Sequence, residues 1–494
     1  MKHPYRLDNV SAILIALLLP ACAVGPDYVR PPVETPAAYK ELATSSANWK
    51  PAQPRDDAPR GKWWEIFGDA ELNALEEQVQ IGNQNVAAAE ARFRAASALV
   101  DSARASYFPI VSADASVTRA GGGRGGAGGG SSSASGGTRA STSHTLALAL
   151  SWEIDLWGRV RRAVKAQTAG AAASAADLAG IRLSAQAALA SNYFQLRQVD
   201  AQRRLLDDTI AAYMKTLEVT KNRYAGGVSA RVDVAQAETQ VKNTQVQAID
   251  LGVARAQLEH AIALLLGKPA SSFSIAAATP QRFTDQSLPA LPVAGLPSEL
   301  LERRPDIAAA ERRAAAANAN IGIAKAAYFP SLSLSASGGF SGLELAGLLT
   351  APNRFWSIGP ALAHSLFDGG LRRSQTEQAI ASYDANVAAY RQTVLAGFAE
   401  VEDQLAALHI LEQEAAAQDD ALASARESLA LTFNQYKAGT VSYLNVVTAQ
   451  ATALASERNA VSVFGNRLTA SVQLIRALGG AWDTGTTAAR VAPA

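Results

Sequence analysis

Cysteine is almost absent from this 494-residue sequence, in which Cys22 is the only one. A single thiol excludes an internal disulfide framework and a zinc site built from several thiolates. Aromatic residues make up only 6% of the chain, although hydrophobic residues make up 48% and alanine supplies much of that share. This composition favours long, closely packed, alanine-rich helices over one large aromatic core.

An excess of charge is also lacking, because 45 Lys and Arg residues nearly balance 44 Asp and Glu residues. The net charge of +1 gives no reason to expect a nucleic-acid partner. The five histidines lie far apart without the spacing of a metal site, so we expect no metal and no other cofactor. No nucleophile with a matching acid and base is apparent, and the sequence therefore does not indicate an enzyme.

Long hydrophobic runs are missing too. The apolar run at residues 12–21 follows two basic residues, and it is shorter than the ~20 residues that a membrane span needs. Residues 19–22, Leu-Pro-Ala-Cys, resemble the lipobox of bacterial lipoproteins. In that motif the cysteine thiol is diacylglycerylated, the chain is cut before the cysteine, and the new amine is acylated. We therefore expect a signal peptide at 1–21 and a palmitate-type lipid on Cys22. The alternative is an unrelated export signal that ends near a cysteine.

The sequence repeats itself at long range. Tyr-Phe-Pro at 107–109 returns at 328–330, an offset of 221. An Ala-Gly pair followed by Val-Ser recurs with an offset of 213, and a Leu-Gly pair with an offset of 212. Landmarks that keep their order and nearly their spacing predict a duplicated chain. The domains we expect are a tether at 22–68, a first repeat at 69–267, a linker at 268–297, a second repeat at 298–480 and a tail at 481–494.

A β-hairpin is predicted after each Tyr-Phe-Pro. Polar and apolar residues alternate there, as they do in strands with two unlike faces, at 111–117, 146–152, 332–336 and 356–362. The glycine-rich segment 118–143 has low complexity and reads as a loop. We place the hairpins at 110–153 and 331–366, with strands of about 9–11 residues, the length that crosses an outer membrane.

Very long helices are predicted after each hairpin. Apolar residues recur every 3.5 positions on average from Leu189 to Leu217 and from Ile380 to Leu408, which is the pattern of a coiled-coil seam with Arg203 as its one poor fit. A helix from about 157 to 222 would be roughly 100 Å long at ~1.5 Å per residue. Each helix ends at a glycine turn, near 226 and near 439, from which a second helix returns.

Four strands with one apolar and one polar face cannot form a closed membrane structure alone, since the smallest membrane barrels have about eight strands. An open strand edge in lipid would leave backbone groups without partners. The chain is therefore expected to oligomerise around a water-filled lumen.

Several motifs carry a more specific resemblance. They are the lipobox with Gly-Pro-Asp-Tyr at 25–28, Trp-Trp at 63–64, SWEIDLWGRVRR at 151–162, the segment 300–334 with Arg-Arg-Pro-Asp-Ile near its start, and the two glycine turns. With these motifs the chain resembles the outer membrane factors of tripartite efflux systems, the TolC/OprM-like family, in its NodT-type lipoprotein branch. The resemblance implies an α+β membrane protein that forms a homotrimeric channel. Each chain would give four strands to a 12-stranded β-barrel, which a long α-helical coiled-coil barrel would continue.

The resemblance also implies a function and its partners. The protein would lie in the outer membrane of a Gram-negative bacterium, anchored by lipid and extending into the periplasm. It would be a passive exit duct for drugs or other small molecules, driven by an inner-membrane RND-type transporter through a periplasmic adaptor (membrane fusion) protein. The implied adaptor-docking residues, at the periplasmic tip, are Tyr224, Gly226, Val228, Ser229, Tyr436, Gly439, Val441 and Ser442.

The same resemblance places a gate just past the second turn, at Asn445 and Thr448. Better-known relatives have aspartates there, which would select cations, whereas amides and hydroxyls would not do so strongly. Asp233, past the first turn, is expected to be solvated or bonded to the tip. Arg303, Arg304 and Asp306 are expected to cap and salt-bridge the helix that begins near Pro305, which is a structural role.

Two alternatives stay open at this point. The outer channel of a type I protein secretion system would share this architecture, and its cargo would be protein. A periplasmic scaffold lipoprotein made only of coiled coils would lack membrane strands, so the four alternating segments argue against it.

Overall fold

The computed structural model describes residues 24–34, 36, 39–43, 62–121, 140–277, 283 and 304–480. The expected signal peptide, Cys22, Arg303 and the C-terminal tail lie outside the described residues, as do most of the glycine-rich loop and most of the linker.

Two halves of the described chain share one element order. The first contains α1 (Ala70–Gly82), α2 (Gln84–Ala105), β1 (Ile110–Ala120), β2 (Ser141–Ile154), α3 (Arg159–Ala225) and α4 (Arg231–Leu265). The second contains α5 (Pro305–Ala326), β3 (Ser331–Gly342), β4 (Arg354–Ala363), α6 (Leu371–Ala438) and α7 (Tyr443–Ala477). The long helices α3 and α6 have 67 and 68 residues, and the returning helices α4 and α7 have 35 each. Among the described helices, none combines the length and apolarity of a membrane span.

The chain divides into two compact units. The sheet unit comprises Met1–Pro31, Arg94–Ala171 and Glu311–Ala388. The helical unit comprises Pro32–Phe93, Ala172–Ala310 and Ala389–Ala494.

The sheet unit contains one antiparallel sheet in the order β1-β2-β3-β4. Its register aligns Val111 with Leu150, Leu150 with Ala336 and Ala336 with Ile358, so one face carries an apolar row. The next row contains three serines and Ala149, and in it the hydroxyls of Ser337 and Ser357 lie 2.8 Å apart. Within the described residues, β1 and β4 each pair on one side only. The predicted alternation is confirmed, and it produces a sheet with two unlike faces and two free edges.

Two strands exceed the predicted length. β1 and β4 have 11 and 10 residues, whereas β2 and β3 have 14 and 12. β2 begins at Ser141, inside the segment that the sequence assigns to a loop. Because β2 and β3 are the inner strands, each has a pairing partner on both sides, and their pairing continues beyond the alternating residues.

The core of the helical unit follows the predicted seams. In α3, Leu189, Tyr193, Leu196, Leu206 and Tyr213 are buried, and in α6 so are Tyr390, Val394, Phe398, Val401, Leu405 and Leu408. Arg203, the poor fit, is exposed, and Ile380, near the start of α6, is exposed too. Asp69, the N-cap of α1, accepts hydrogen bonds from the amides of Glu71 and Leu72, and its other oxygen accepts one from the Tyr193 hydroxyl at 2.7 Å.

The ends of α1 and α4 approach each other closely at two glycines. Gly267 has a φ of +68°, and an added Cβ would overlap the carbonyl oxygen of Gly82. The side-chain amide of Asn83 also donates to the carbonyl of Leu265 at 2.8 Å. We expect Gly267→Ala to lower the free energy of unfolding by about 1–3 kcal/mol, because it adds both backbone strain and a clash.

Gly252 is the matched control, because it lies inside α4 with open space around its Cα. There Gly252→Ala should raise the free energy of unfolding by about 0.5–1 kcal/mol, through helix propensity alone. Thermal unfolding of the two purified variants measures whether Gly267→Ala lowers the stability and Gly252→Ala raises it. Shifts of the midpoint in the same direction would contradict the close approach.

Candidate functional site

The two helical hairpins end in tight glycine turns. Gly227 and Gly439 have φ values of +72° and +79°, which favour glycine. In the first turn the positive φ therefore belongs to Gly227. Gly226, which the sequence analysis named at this turn, instead continues the helical hydrogen bonding, because its amide donates to the carbonyl of Asn222.

Backbone hydrogen bonds close both turns in the same way. The amide of Val228 donates to the carbonyl of Arg223, and that of Thr440 donates to the carbonyl of Gln435. These bonds satisfy carbonyls in the last turns of α3 and α6, which have no partner inside their own helices. The backbone geometry of the two turns therefore repeats with an offset of 212, one less than the offset of 213 between the Ala-Gly and Val-Ser pairs of the sequence.

The predicted docking residues do not all reach the surface. Tyr224 and Val228 are exposed, and so are Gly226, Gly439 and Ser442. Ser229 and Val441 are half-buried. Tyr436, the counterpart of Tyr224 in the second repeat, is only 2% exposed. The two turns match in sequence, but they present different surfaces.

Tyr436 belongs to a small core beneath the turns. It packs with Ala237, Tyr443 and Val446, and its ring meets the ring of Tyr443 edge-on at 5.4 Å between centroids. Burial raises the pKa of Tyr443, so its hydroxyl stays neutral. This core joins residues of α4, α6 and α7.

Arg223 links the first hairpin to the second. Its Nη1 donates to the carbonyl of Lys437 at 2.9 Å, and its guanidinium carbon lies 4.8 Å from the centre of the Tyr436 ring. The Tyr436 hydroxyl lies 3.4 Å from the Thr220 hydroxyl, to which it donates. These links could not be predicted from the sequence, because an arginine beside a turn has no distinguishing pattern.

The predicted gate residues lie one helical turn apart on α7. Asn445 and Thr448 are both exposed, and the Thr448 hydroxyl donates to the carbonyl of Leu444 in its own helix. The only acidic side chain in α7 is Glu457, which pairs with Arg426 at 2.7 Å. This face of α7 therefore carries no carboxylate near the turn.

The acid on the other hairpin is also engaged. Asp233 accepts a hydrogen bond from the amide of Ala230 at 3.3 Å, at the start of α4. This contact agrees with the expectation that it bonds to the tip. Elsewhere in the described part of the chain, no group of His, Cys, Asp and Glu side chains is arranged to hold a metal ion.

A family model described as outer membrane efflux protein matches residues 75–268 and 296–480. The chain belongs to the outer membrane efflux protein family. Relatives similar along nearly the whole chain bear this out. The chain is 30% identical to the pyoverdine export outer membrane protein OpmQ of Pseudomonas aeruginosa, over 97% of this chain and 98% of the relative. It is 32% identical to the outer membrane protein OprJ of the same species, over 97% and 96%.

Solved structures of outer membrane efflux proteins have the same fold. The outer-membrane channel OprN matches with a TM-score of 0.84 and 30% identity, over 93% of this chain and 99% of that one. CusC, which is described as forming a transmembrane channel, matches with a TM-score of 0.82 and 25% identity, over 93% and 100%. The predicted α+β channel fold is thereby confirmed.

The family also decides between the functions that the sequence left open. The chain is the outer membrane channel component of an efflux pump, and the type I secretion alternative is not favoured. Proteins of this family are passive ducts, so the chain is not an enzyme.

Proposed function

We propose that three copies of this chain form a lipid-anchored exit duct for drugs or other small molecules. An inner-membrane RND-type transporter would supply the energy, and a periplasmic adaptor protein would connect the two. The observation that carries this proposal is the sheet, which has one apolar face, one polar face and two edges without a partner strand in the described chain. The long helices α3 and α6 follow the two hairpins in sequence, and each is roughly 100 Å long.

The unpaired edges of β1 and β4 support the proposal of a trimer. In lipid each unpaired strand edge leaves amides and carbonyls unsatisfied, at several kcal/mol for each group. Pairing β1 of one copy with β4 of the next removes both edges. Three copies of a four-stranded sheet give a closed barrel of 12 strands, whose apolar face meets lipid and whose polar face lines water.

The names of two relatives support a small-molecule cargo. One is a pyoverdine export protein, and another belongs to a toluene efflux pump of Pseudomonas putida. We propose that this chain likewise carries small molecules, which the inner-membrane transporter selects.

The exposed and half-buried parts of the two turns are the proposed adaptor surface. They comprise Tyr224, Gly226, Val228, Ser229, Gly439, Val441 and Ser442. We propose that Tyr436 supports this surface from below, since its buried ring packs beneath the second turn and fixes the shape of that turn.

The proposed gate is the uncharged pair Asn445 and Thr448. We expect Asn445→Asp combined with Thr448→Asp to increase the cation selectivity of the pore, because three copies would bring six carboxylates to one axis. Reversal potentials in planar bilayers under a salt gradient measure this selectivity.

A control variant adds the same charge at the same end of the hairpin. Asn434→Asp with Gln435→Glu alters two exposed residues of α6, and it should change selectivity less. Equal selectivity in both variants and the wild type would show that Asn445 and Thr448 do not line the constriction.

The proposal also includes a lipid anchor on Cys22 and two repeated domains. Lipid on Cys22 would hold the mature chain in the outer membrane in addition to its strands. The two segments that the family model matches support repeats at 69–267 and 298–480, with a linker at 268–297.

Deletion of the gene tests the efflux function. The deletion strain should accumulate at least one dye, antibiotic, solvent or metal salt that the parent strain excludes, and the intact gene should restore exclusion. Unchanged accumulation of every compound, with the transporter and adaptor expressed, would contradict the proposal.

A further inference from the structure

A cavity of about 350 Å³ lies in the sheet unit where β2 and β4 end and β3 begins. We call it the strand-end cavity. It is lined on one side by Trp157 and Phe329, whose rings stack at 4.8 Å between centroids. Its other lining residues include Leu332, Ala363, His364 and Ser365. The cavity therefore combines apolar walls with polar groups at one end of the strands.

Most of the charge around the strand-end cavity is already paired. Arg159 donates to both oxygens of Glu153, and Asp155 accepts from the amides of Val160 and Arg161. The side chains of His364 and Ser365 make no hydrogen bond within the described part of the chain. Both residues are exposed, and an imidazole N–H and a hydroxyl can each donate a hydrogen bond to a carbonyl oxygen.

The first described residue of the chain, Val24, contacts a residue that lines this cavity. The amide of Val24 donates to the carbonyl of Trp157, a lining residue, at 3.1 Å. The expected mature chain starts at Cys22, only two residues earlier, and two residues span at most about 7 Å. Cys22 can therefore reach the strand-end cavity directly.

Hydrogen bonds from other parts of the protein hold the residues after Val24 in place. Arg162, which is 5% exposed, donates to the carbonyls of Gly25 and Pro26 at 3.0 and 2.9 Å. Asn318 donates to the same Pro26 carbonyl at 3.2 Å. This part of the expected tether is therefore fixed, and it fixes the point from which Cys22 departs.

Gly25 shows how closely the segment is packed. Its φ is +109°, and an added Cβ would lie 2.6 Å from the Cα of Gly322. Only glycine fits both the backbone conformation and the space. The path of the chain toward the cavity is thus determined by backbone packing as well as by hydrogen bonds.

We propose that the strand-end cavity seats the lipidated Cys22 of the same chain, while its acyl chains pass into the bilayer. The glyceryl esters and the acylated amine offer carbonyl oxygens, which His364 and Ser365 can bind. The first methylene groups can lie against Leu332 and Ala363. The proposal rests on the lipidation proposed above, and it makes the anchor a fixed attachment beside the strands.

Photo-crosslinking of the full-length protein in its native membrane tests this seat. With p-benzoylphenylalanine in place of His364, irradiation should join that residue to the N-terminal lipopeptide, as detected by mass spectrometry of the digested trimer. The same replacement of Trp356, an exposed residue on the apolar face of β4, is the control, and it should give no such product. Replacement of Ser365 provides a second probe if the first variant does not assemble.

The intact mass of the mature chain distinguishes a failure of the proposed lipidation of Cys22 from a failure of its proposed seat in the strand-end cavity. Acyl chains on Cys22 together with the lipopeptide product at residue 364 would support the seat. Acyl chains with only free phospholipid attached at residues 364 and 365 would overturn the seat and leave lipidation intact. A mature chain without acyl mass would overturn lipidation and the seat with it.

Discussion

Replacement of Arg304 by leucine should lower the free energy of unfolding by about 1.5–3 kcal/mol, because the hydrogen bonds of a buried guanidinium to two partly exposed carboxylates are lost. Arg304 is 6% exposed and lies just before α5. Its Nε and Nη2 donate to the two oxygens of Asp306 at 3.0 and 2.6 Å. Its Nη1 donates to Glu400 at 2.8 Å and to the carbonyl of Ala477 at 3.0 Å. One side chain thereby joins the start of α5, the middle of α6 and the end of α7.

The size of the effect follows from what leucine would leave behind. Asp306 and Glu400 would lose a cation, and the Ala477 carbonyl, an orphan at a helix end, would lose a donor. Arg373→Leu is the control, because Arg373 pairs with Glu377 on an exposed surface and should contribute little. Chemical unfolding of both purified variants measures the difference. Similar stability of the Arg304 and Arg373 variants would contradict the role of this network.

Replacement of Glu76 by glutamine should stabilise the protein at neutral pH. Glu76 is fully buried in α1, and neither of its carboxylate oxygens has a hydrogen-bond partner within the described residues. Burial raises the pKa of Glu76 from 4.5 to about 9, so the folded protein keeps it protonated at pH 7, whereas the unfolded chain ionises it.

The sign of the pH dependence follows from these two states. The folded protein binds one proton more than the unfolded chain between pH 4.5 and about 9. Its stability is therefore greatest below pH 4.5 and falls as the pH rises through that window, by about 1.4 kcal/mol for each pH unit. At pH 7 the wild type should be less stable than the glutamine variant by roughly 3 kcal/mol, since glutamine does not ionise.

Thermal unfolding in detergent from pH 4.5 to 8.5 measures the difference in stability between Glu76→Gln and the wild type. This gap should widen as the pH rises. Glu77→Gln is the control, because Glu77 is exposed and pairs with Lys62 at 2.5 Å, and its substitution should produce no widening gap. A gap between Glu76→Gln and the wild type that stays constant with pH would contradict a buried, protonated carboxyl.

Much of the fold could be predicted because its elements carry regular periods. Strict alternation predicted all four strands, and the 3.5-residue spacing predicted the seams of α3 and α6. The extra length of β2 could not be predicted, because residues 141–143 pair only with β1 and residues 152–154 only with β3, and such pairing partners are not visible in the local sequence. Interactions distant in sequence decided the strand ends.

The candidate site was predictable in position and less so in detail. Two glycine turns with matching sequences predicted the tips, yet Tyr224 is exposed and Tyr436 is buried. The difference arises because Arg223 of the first hairpin covers the ring of Tyr436 in the second. Likewise, Glu76 and Glu77 are neighbours of one residue type in α1, and only packing shows which of them is buried. Contacts between distant segments leave no pattern in the local sequence.

Single-channel recording of the purified protein in planar bilayers tests the central claim most directly, which is that three chains enclose one water-filled duct. The wild type should give unitary ionic currents, and Arg223→Ala should enlarge them, because it removes the hydrogen bond from Arg223 to the Lys437 carbonyl, one of the links between the two hairpin tips. The absence of unitary currents from both proteins, when each is inserted as a folded trimer, would contradict the account.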